Sequence, residues 1–137
     1  MTAHPFGSGI PLVIDTSAWN RQTHPRVLAG WEAMVVAELF VACPVAVLEI
    51  LVATRDEGEF AAAAAAFAAL PQAPITPSVS RAALAAAGEL KGSRRLPAID
   101  YLIAAAAAEL GFGVLHADRH FDLLATVLPF ESVRLPE

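Results

Sequence analysis

A short apolar run that stops abruptly at an acid constrains this chain more than any other stretch. In Leu12-Val13-Ile14-Asp15-Thr16-Ser17-Ala18-Trp19, three aliphatic residues give way to a carboxylate and two hydroxyls. Such a run fits a strand buried on both faces, as at the centre of a parallel sheet. Asp15 then falls at the strand's carboxyl end, where open α/β sheets place their ligands. Two readings stand side by side. Asp15 is a cap for the next helix, with Thr16 or Ser17 as rival caps for a start near Ala18, or it is one acid of a site. The second reading needs other carboxylates beside it.

The pattern recurs. Gly113-Val114-Leu115-His116-Ala117 predicts another buried strand, closing on Asp118. Leu39-Phe40-Val41-Ala42-Cys43 reads as a further strand, Ser132 to Leu135 as a last one, and Ile75-Thr76 as a very short edge strand. Helices are predicted between them. Leu28, Trp31, Val35 and Leu39 mark one face of a helix over residues 26–38. Pro44 opens the next, with Val45, Leu48, Leu51 and Val52 on its packing face, and Asp56-Glu57-Gly58 ends it. Alanine-rich residues 59–70 are helical by propensity. Ser78 caps a helix with Val79, Ala82 and Ala86 inward. Pro97 opens one that Gly111 stops, and a short helix starts at Arg119. Strands alternating with helices give an α/β chain, a three-layer α/β/α sandwich around a mostly parallel central sheet. Residues 1–11 read as a disordered lead-in and residues 12–137 as a single domain.

Composition excludes several classes. With 56% hydrophobic and 17% charged residues, the chain is not of disordered type. No apolar run reaches the roughly 18–20 residues of a spanning helix, since Glu109 interrupts the longest. The start of the chain lacks the pattern of a signal peptide. A lone Cys43 suits a reducing compartment. These features predict a cytoplasmic protein with no membrane contact. A net charge of −5 speaks against a nucleic-acid binder, unless several acids belong to a site neutralised by cations.

The acids bear on that exception. Glu49 interrupts an apolar helix, where it must be solvated, paired or bound to metal. Asp100 lies in the first turn of a helix apolar nearly all round. There it either stabilises the helix dipole or serves a site. If Asp15, Glu49, Asp100 and Asp118 converge at one sheet edge, they require positive charge among them. Oxygen ligands suit Mg2+ or Mn2+, and such a site hydrolyses phosphodiesters without a covalent nucleophile. No glycine-rich phosphate loop, His-Glu-x-x-His or Cys-x-x-Cys offers another chemistry. Ser17 has no His–Asp partnership, and reads as a hydroxyl steadying Asp15 or as a cap. His116 and His120 are either ligands or ordinary hydrogen-bonding residues. Lys91, Arg94 and Arg95, in the loop before Asp100, are either a solvated charge run or a phosphate contact.

Taken in order, Val13-Ile14-Asp15-Thr16-Ser17-Ala18-Trp19, Val47-Leu48-Glu49-Ile50, Ala98-Ile99-Asp100-Tyr101-Leu102-Ile103 and Val114-Leu115-His116-Ala117-Asp118-Arg119-His120-Phe121-Asp122 resemble the PIN domain. They are most similar to the VapC toxins of bacterial toxin–antitoxin systems. The resemblance spans the chain from about Leu12. It implies a Mg2+- or Mn2+-dependent ribonuclease acting on structured RNA such as tRNA or rRNA. It places Asp15, Glu49, Asp100 and Asp118 as the catalytic, metal-binding acids and matches Ser17 to the hydroxyl often found beside the first; Thr16 is read here as a further supporting residue. Lys91, Arg94, Arg95 and Arg119 would then hold the RNA backbone. A homodimer and a cognate VapB-like antitoxin are implied as well. One position departs: many relatives carry a further Asp where this chain has His120, which weakens any second metal position. Asp122 matches a common acidic position outside the metal's own ligands. The competing readings are a PIN-like protein-binding module with impaired cleavage, and a nuclease acting on DNA or in RNA processing.

Overall fold

The computed structural model of the protein describes residues 6–91 and 95–136, so Arg94 and the first five residues lie outside the described residues. Four strands form one sheet: β1 (Leu12–Ile14), β2 (Phe40–Val41), β3 (Gly113–His116) and β4 (Glu131–Arg134). The order is β2-β1-β3-β4 and every pairing is parallel, with Val13 opposite both Val41 and Val114. Every residue of the two central strands is buried, as their uninterrupted apolar runs require.

Side-chain alternation along β1 divides the core into two halves. Val13 and Val114 point to one face, packing with Val79, Ala83 and Ala86 of α5 (Pro77–Glu89) and Ile103 to Ala107 of α6 (Ala98–Leu110). Leu12, Ile14 and Leu115 point to the other, against Trp31 and Met34 of α2 (Leu28–Val36). The result is the expected α/β sandwich. Pro97 caps α6 and Gly111 ends it in the left-handed region at φ 71°, as the sequence pattern predicts.

Several local expectations are corrected. The face of α2 begins one residue earlier than periodicity suggests. Val27, Trp31 and Met34 are buried, whereas Leu28 and Val35 are exposed. In α3 (Pro44–Val52), Ala46 and Ile50 face the core while Leu48 and Val52 face out. Glu49 is the only polar residue of that helix, and one residue is too little to fix its phase. Asp56 starts α4 (Glu57–Ala68) rather than ending α3, its carboxylate accepting the Glu59 N–H at 2.8 Å. Ile75-Thr76 is not a strand, because Thr76 Oγ1 caps α5 through the Val79 N–H at 3.1 Å, the role expected of Ser78. The edge pairing falls three residues earlier, where Ala42 bridges Gln72. Of the lead-in expected to be disordered, Phe6 is buried against the α2 side. A Cβ on Gly30 would meet Phe6 Cζ at 2.5 Å, so a larger residue there would have to displace the Phe6 ring.

Candidate active site at the carboxyl edge of the sheet

The chain leaves β1 toward β2 on one side and β3 toward β4 on the other. The crevice beyond the ends of β1 and β3 is therefore a topological switch point, where α/β sheets place ligands. Asp15 follows β1 directly and is only 5% exposed. Its Oδ2 accepts the Ser17 N–H at 3.1 Å and the Ser17 hydroxyl at 2.5 Å, which makes Asp15 the N-cap of α1 (Thr16–Trp19). Helix α1 thus begins before Ala18 and neither Thr16 nor Ser17 caps it. Ser17 Oγ also accepts the Ala117 N–H at 2.9 Å, joining the turn after β1 to the turn after β3.

Asp118 repeats the arrangement, its Oδ1 accepting the His120 N–H at 3.0 Å ahead of α7 (His120–Leu124). Capping of this kind does not exclude the role of a site acid. The turn that holds each carboxylate by a backbone N–H also aims it across the edge of the sheet.

Asp100, in the first turn of α6, is 8% exposed. Its Oδ2 lies 2.9 Å from His120 Nδ1, which is also 3.1 Å from Asp118 Oδ1. Asp100, Asp118 and His120 each offer a ligand atom within 4.8 Å of the others. Asp15 and Glu49 lie outside that tight group and act on it through charge. Asp15 pushes Asp100 up, and Glu49 contributes to raising Asp15. Glu49 itself is exposed on α3, its Oε1 accepting the Thr16 hydroxyl.

Two acids are shifted. Burial above all, then the charges of Asp15 and Asp118, holds the Asp100 carboxyl up at about 6 against the opposing pull of His120. Burial also raises Asp15, against the lowering effect of its Ser17 hydrogen bonds. Burial is the largest cause of both shifts, and a cation beside these acids would oppose it. The carboxylate oxygens suit a hard divalent cation, whereas the His120 Nδ1 is already held between Asp100 Oδ2 and Asp118 Oδ1.

His120 is the residue to which sequence reasoning gave too little weight. Its signals were a position two residues beyond the strand-end acid and the place of a further Asp in many relatives. Of the basic residues, Lys91 and Arg95 are exposed in the stretch before α6. Arg119 lines a cavity of about 450 Å3 with Leu96, His120, Leu123 and Arg134.

The sequence profile of the PIN domain matches residues 12–127. The chain belongs to the PIN-domain family. The match runs from β1 to just beyond α7 and takes in all four acids. Ribonuclease VapC51 of Mycobacterium tuberculosis is 34% identical to the PIN chain over 119 residues, covering 84% of it and 85% of the relative. Ribonuclease VapC18 of the same organism is 29% identical over 119 residues, covering 83% and 87%. These identities make it a PIN protein of the VapC type. Among solved structures, the DNA-bound VapBC from Salmonella typhimurium aligns with a TM-score of 0.72 at 15% identity. That alignment covers 90% of the PIN chain and 98% of the other, a likeness of fold.

Proposed function

We propose that this PIN-domain protein is the ribonuclease toxin of a type II toxin–antitoxin pair, hydrolysing phosphodiester bonds in structured RNA, a tRNA or an rRNA. The observation that supports this best is the buried pair Asp15 and Asp100. Both are pushed up, and Asp118 and His120 crowd Asp100. A cluster of that sign is stabilised by a cation.

In this reading Asp15, Glu49, Asp100 and Asp118 hold Mg2+ or Mn2+. A divalent ion held there would supply Lewis acidity to the phosphate and would lower the pKa of a coordinated water toward neutral. The chain's own contribution is orientation. Ser17 fixes the Asp15 carboxylate through its N–H and hydroxyl, and Thr16 holds Glu49 toward the same edge. His120, between Asp100 and Asp118, offsets part of their repulsion. Since His120 replaces an acid, the site holds one divalent ion in preference to two.

Lys91, Arg94, Arg95 and Arg119 hold the RNA backbone around this edge. The partner is a VapB-like antitoxin, in line with the likeness to VapBC, and the toxin acts as a homodimer in the cytoplasm. No helix among the described residues is long and apolar enough to cross a membrane.

Incubating purified protein with total RNA in Mg2+, in Mn2+ and in EDTA, then mapping the new RNA ends, tests the proposal. Metal-dependent cuts at discrete positions in tRNA or rRNA are expected. A folded protein that cuts no RNA in either metal would instead be a PIN-like binding module. One that cuts only DNA would be a DNA nuclease.

A further inference from the structure

Strand β3 ends on a buried polar side chain that the chemistry above leaves unused. His116 is 0% exposed, and its ring packs 5.0 Å from that of Phe121. Both ring nitrogens are engaged. Nδ1 accepts the Asp118 backbone N–H at 3.1 Å, and Nε2 lies 2.7 Å from Ser132 Oγ. Ser132 Oγ in turn donates to Asp122 Oδ1 at 2.8 Å, and Arg134 Nη1 approaches Asp122 Oδ2 at 3.6 Å.

The direction of these bonds fixes the tautomer. A backbone N–H can only donate, so Nδ1 is bare and the ring proton sits on Nε2. That proton goes to Ser132 Oγ, whose own hydrogen goes to the Asp122 carboxylate. Each donor in the series has one acceptor, from the Asp118 amide at one end to Asp122 at the other.

The sheet's own bonding stops just short of Asp118. The last rung donates Leu135 N–H to His116 O at 2.7 Å. The next two amides, of Ala117 and Asp118, are taken by side chains: Ser17 Oγ holds the first and His116 Nδ1 the second. The backbone from which the Asp118 carboxylate reaches His120 is therefore fixed by a ring two residues back.

We infer that His116 is a positioning residue for Asp118. Its Nδ1 sets the turn that presents the Asp118 carboxylate to the acid cluster, and Ser132 with Asp122 sets the tautomer of His116. This rests on the proposed role of Asp118 as a metal-holding acid.

Two replacements separate positioning from packing. His116→Asn keeps an acceptor where Nδ1 stands but loses most of the packing on Phe121. His116→Gln fills more space and reaches Ser132 but leaves the Asp118 amide without its acceptor. The readouts are Mn2+ affinity of the full chain, by calorimetry or by the electron spin resonance of free Mn2+, and melting temperature in EDTA. Asp118→Asn is the reference.

We expect Asn to melt lower than Gln yet to bind Mn2+ within about threefold of wild type, while Gln binds roughly tenfold or more weakly. Mn2+ affinity falling in step with melting temperature would overturn the inference. So would near wild-type affinity in both variants when Asp118→Asn binds weakly. If Asp118→Asn binds Mn2+ as wild type does, the proposed site fails first and this inference with it.

A measurement on the wild type needs no variant to fold. By nitrogen NMR, His116 should carry its proton on Nε2, and the Asp118 amide should exchange slowly with solvent. A proton on Nδ1, or a fast-exchanging Asp118 amide, would overturn the inference.

Discussion

His120 Nδ1 lies 2.9 Å from Asp100 Oδ2 and 3.1 Å from Asp118 Oδ1, so one imidazole stands between two acids contributed by different elements. Asp100 comes from the first turn of α6 and Asp118 from the turn after β3. This contact is the centre of the proposed site, and its electrostatics set the behaviour expected of the metal-free protein.

The first prediction concerns pH. Asp100 is raised from an ordinary 3.8 to about 6. Between those values the folded state holds a proton that the unfolded chain has lost, so Asp100 favours the fold increasingly as pH falls from about 6. Asp15, also raised, acts in the same direction. His116 acts against them. Burial lowers it from 6.5 to about 4, so in that interval the unfolded chain binds the extra proton and acid destabilises the fold. The wild-type profile should therefore be shallow. Asp100→Asn isolates one contribution: in EDTA its melting temperature should exceed wild type most at pH 7, the gap narrowing as pH falls toward 5. A gap independent of pH would show that Asp100 keeps its ordinary pKa.

Asp118→Asn should raise the metal-free melting temperature as well, because the Asp118 charge is one cause of the Asp100 shift. Asn retains an oxygen for the His120 N–H that Asp118 now accepts. Metal binding only the folded state stabilises it by mass action, so Mg2+ or Mn2+ should raise wild type by several degrees and the variant much less. Melts of both proteins, in EDTA and with metal, check this. A variant that melts lower in EDTA and gains as much from metal would remove Asp118 from the site.

Substrate contact predicts a salt dependence. Each RNA phosphate neutralised by a cationic side chain contributes about −0.7 to the slope of log affinity against log salt for single strands. Replacing Lys91, Arg94 and Arg95 together by Ala should make that slope shallower by roughly two. An unchanged slope would mean that these residues are merely solvated. The same measurement on Arg119→Ala asks whether the cavity beside His120 takes part.

The frame of the site was legible in the sequence because each piece has a local cause. Two apolar runs closed by acids gave β1 and β3, and parallel pairing put Asp15 and the turn bearing Asp118 at one edge. Pro97 and Gly111 bounded α6 and so located Asp100 in its first turn. The rotation of α3 was not legible, since Pro44-Val45-Ala46-Val47-Leu48-Glu49-Ile50-Leu51-Val52 offers only Glu49 to orient it, and a lone acid there could equally be solvated, paired or bound to metal. Only packing decides that Ala46 and Ile50 turn inward and leave Glu49 exposed. Nor was the part played by the histidines. Nothing local distinguishes a surface His120 from one held between Asp100 and Asp118, because the partner acid lies twenty residues away. His116 likewise gains its meaning from Ser132, which reaches it only through the pairing of β3 with β4.

The most direct test of the account is RNA cleavage by three purified proteins: wild type, Asp15→Asn and Asp100→Asn. Total RNA is incubated with each at matched Mg2+ or Mn2+, and with wild type in EDTA. Each Asn removes a ligand charge while nearly preserving shape, so both variants should fold. Their cleavage rates should fall by more than about two orders of magnitude, beyond the loss usual for residues that only support a metal ligand. Wild type in EDTA should be equally silent. Cleavage at the wild-type rate by both folded variants would contradict the account.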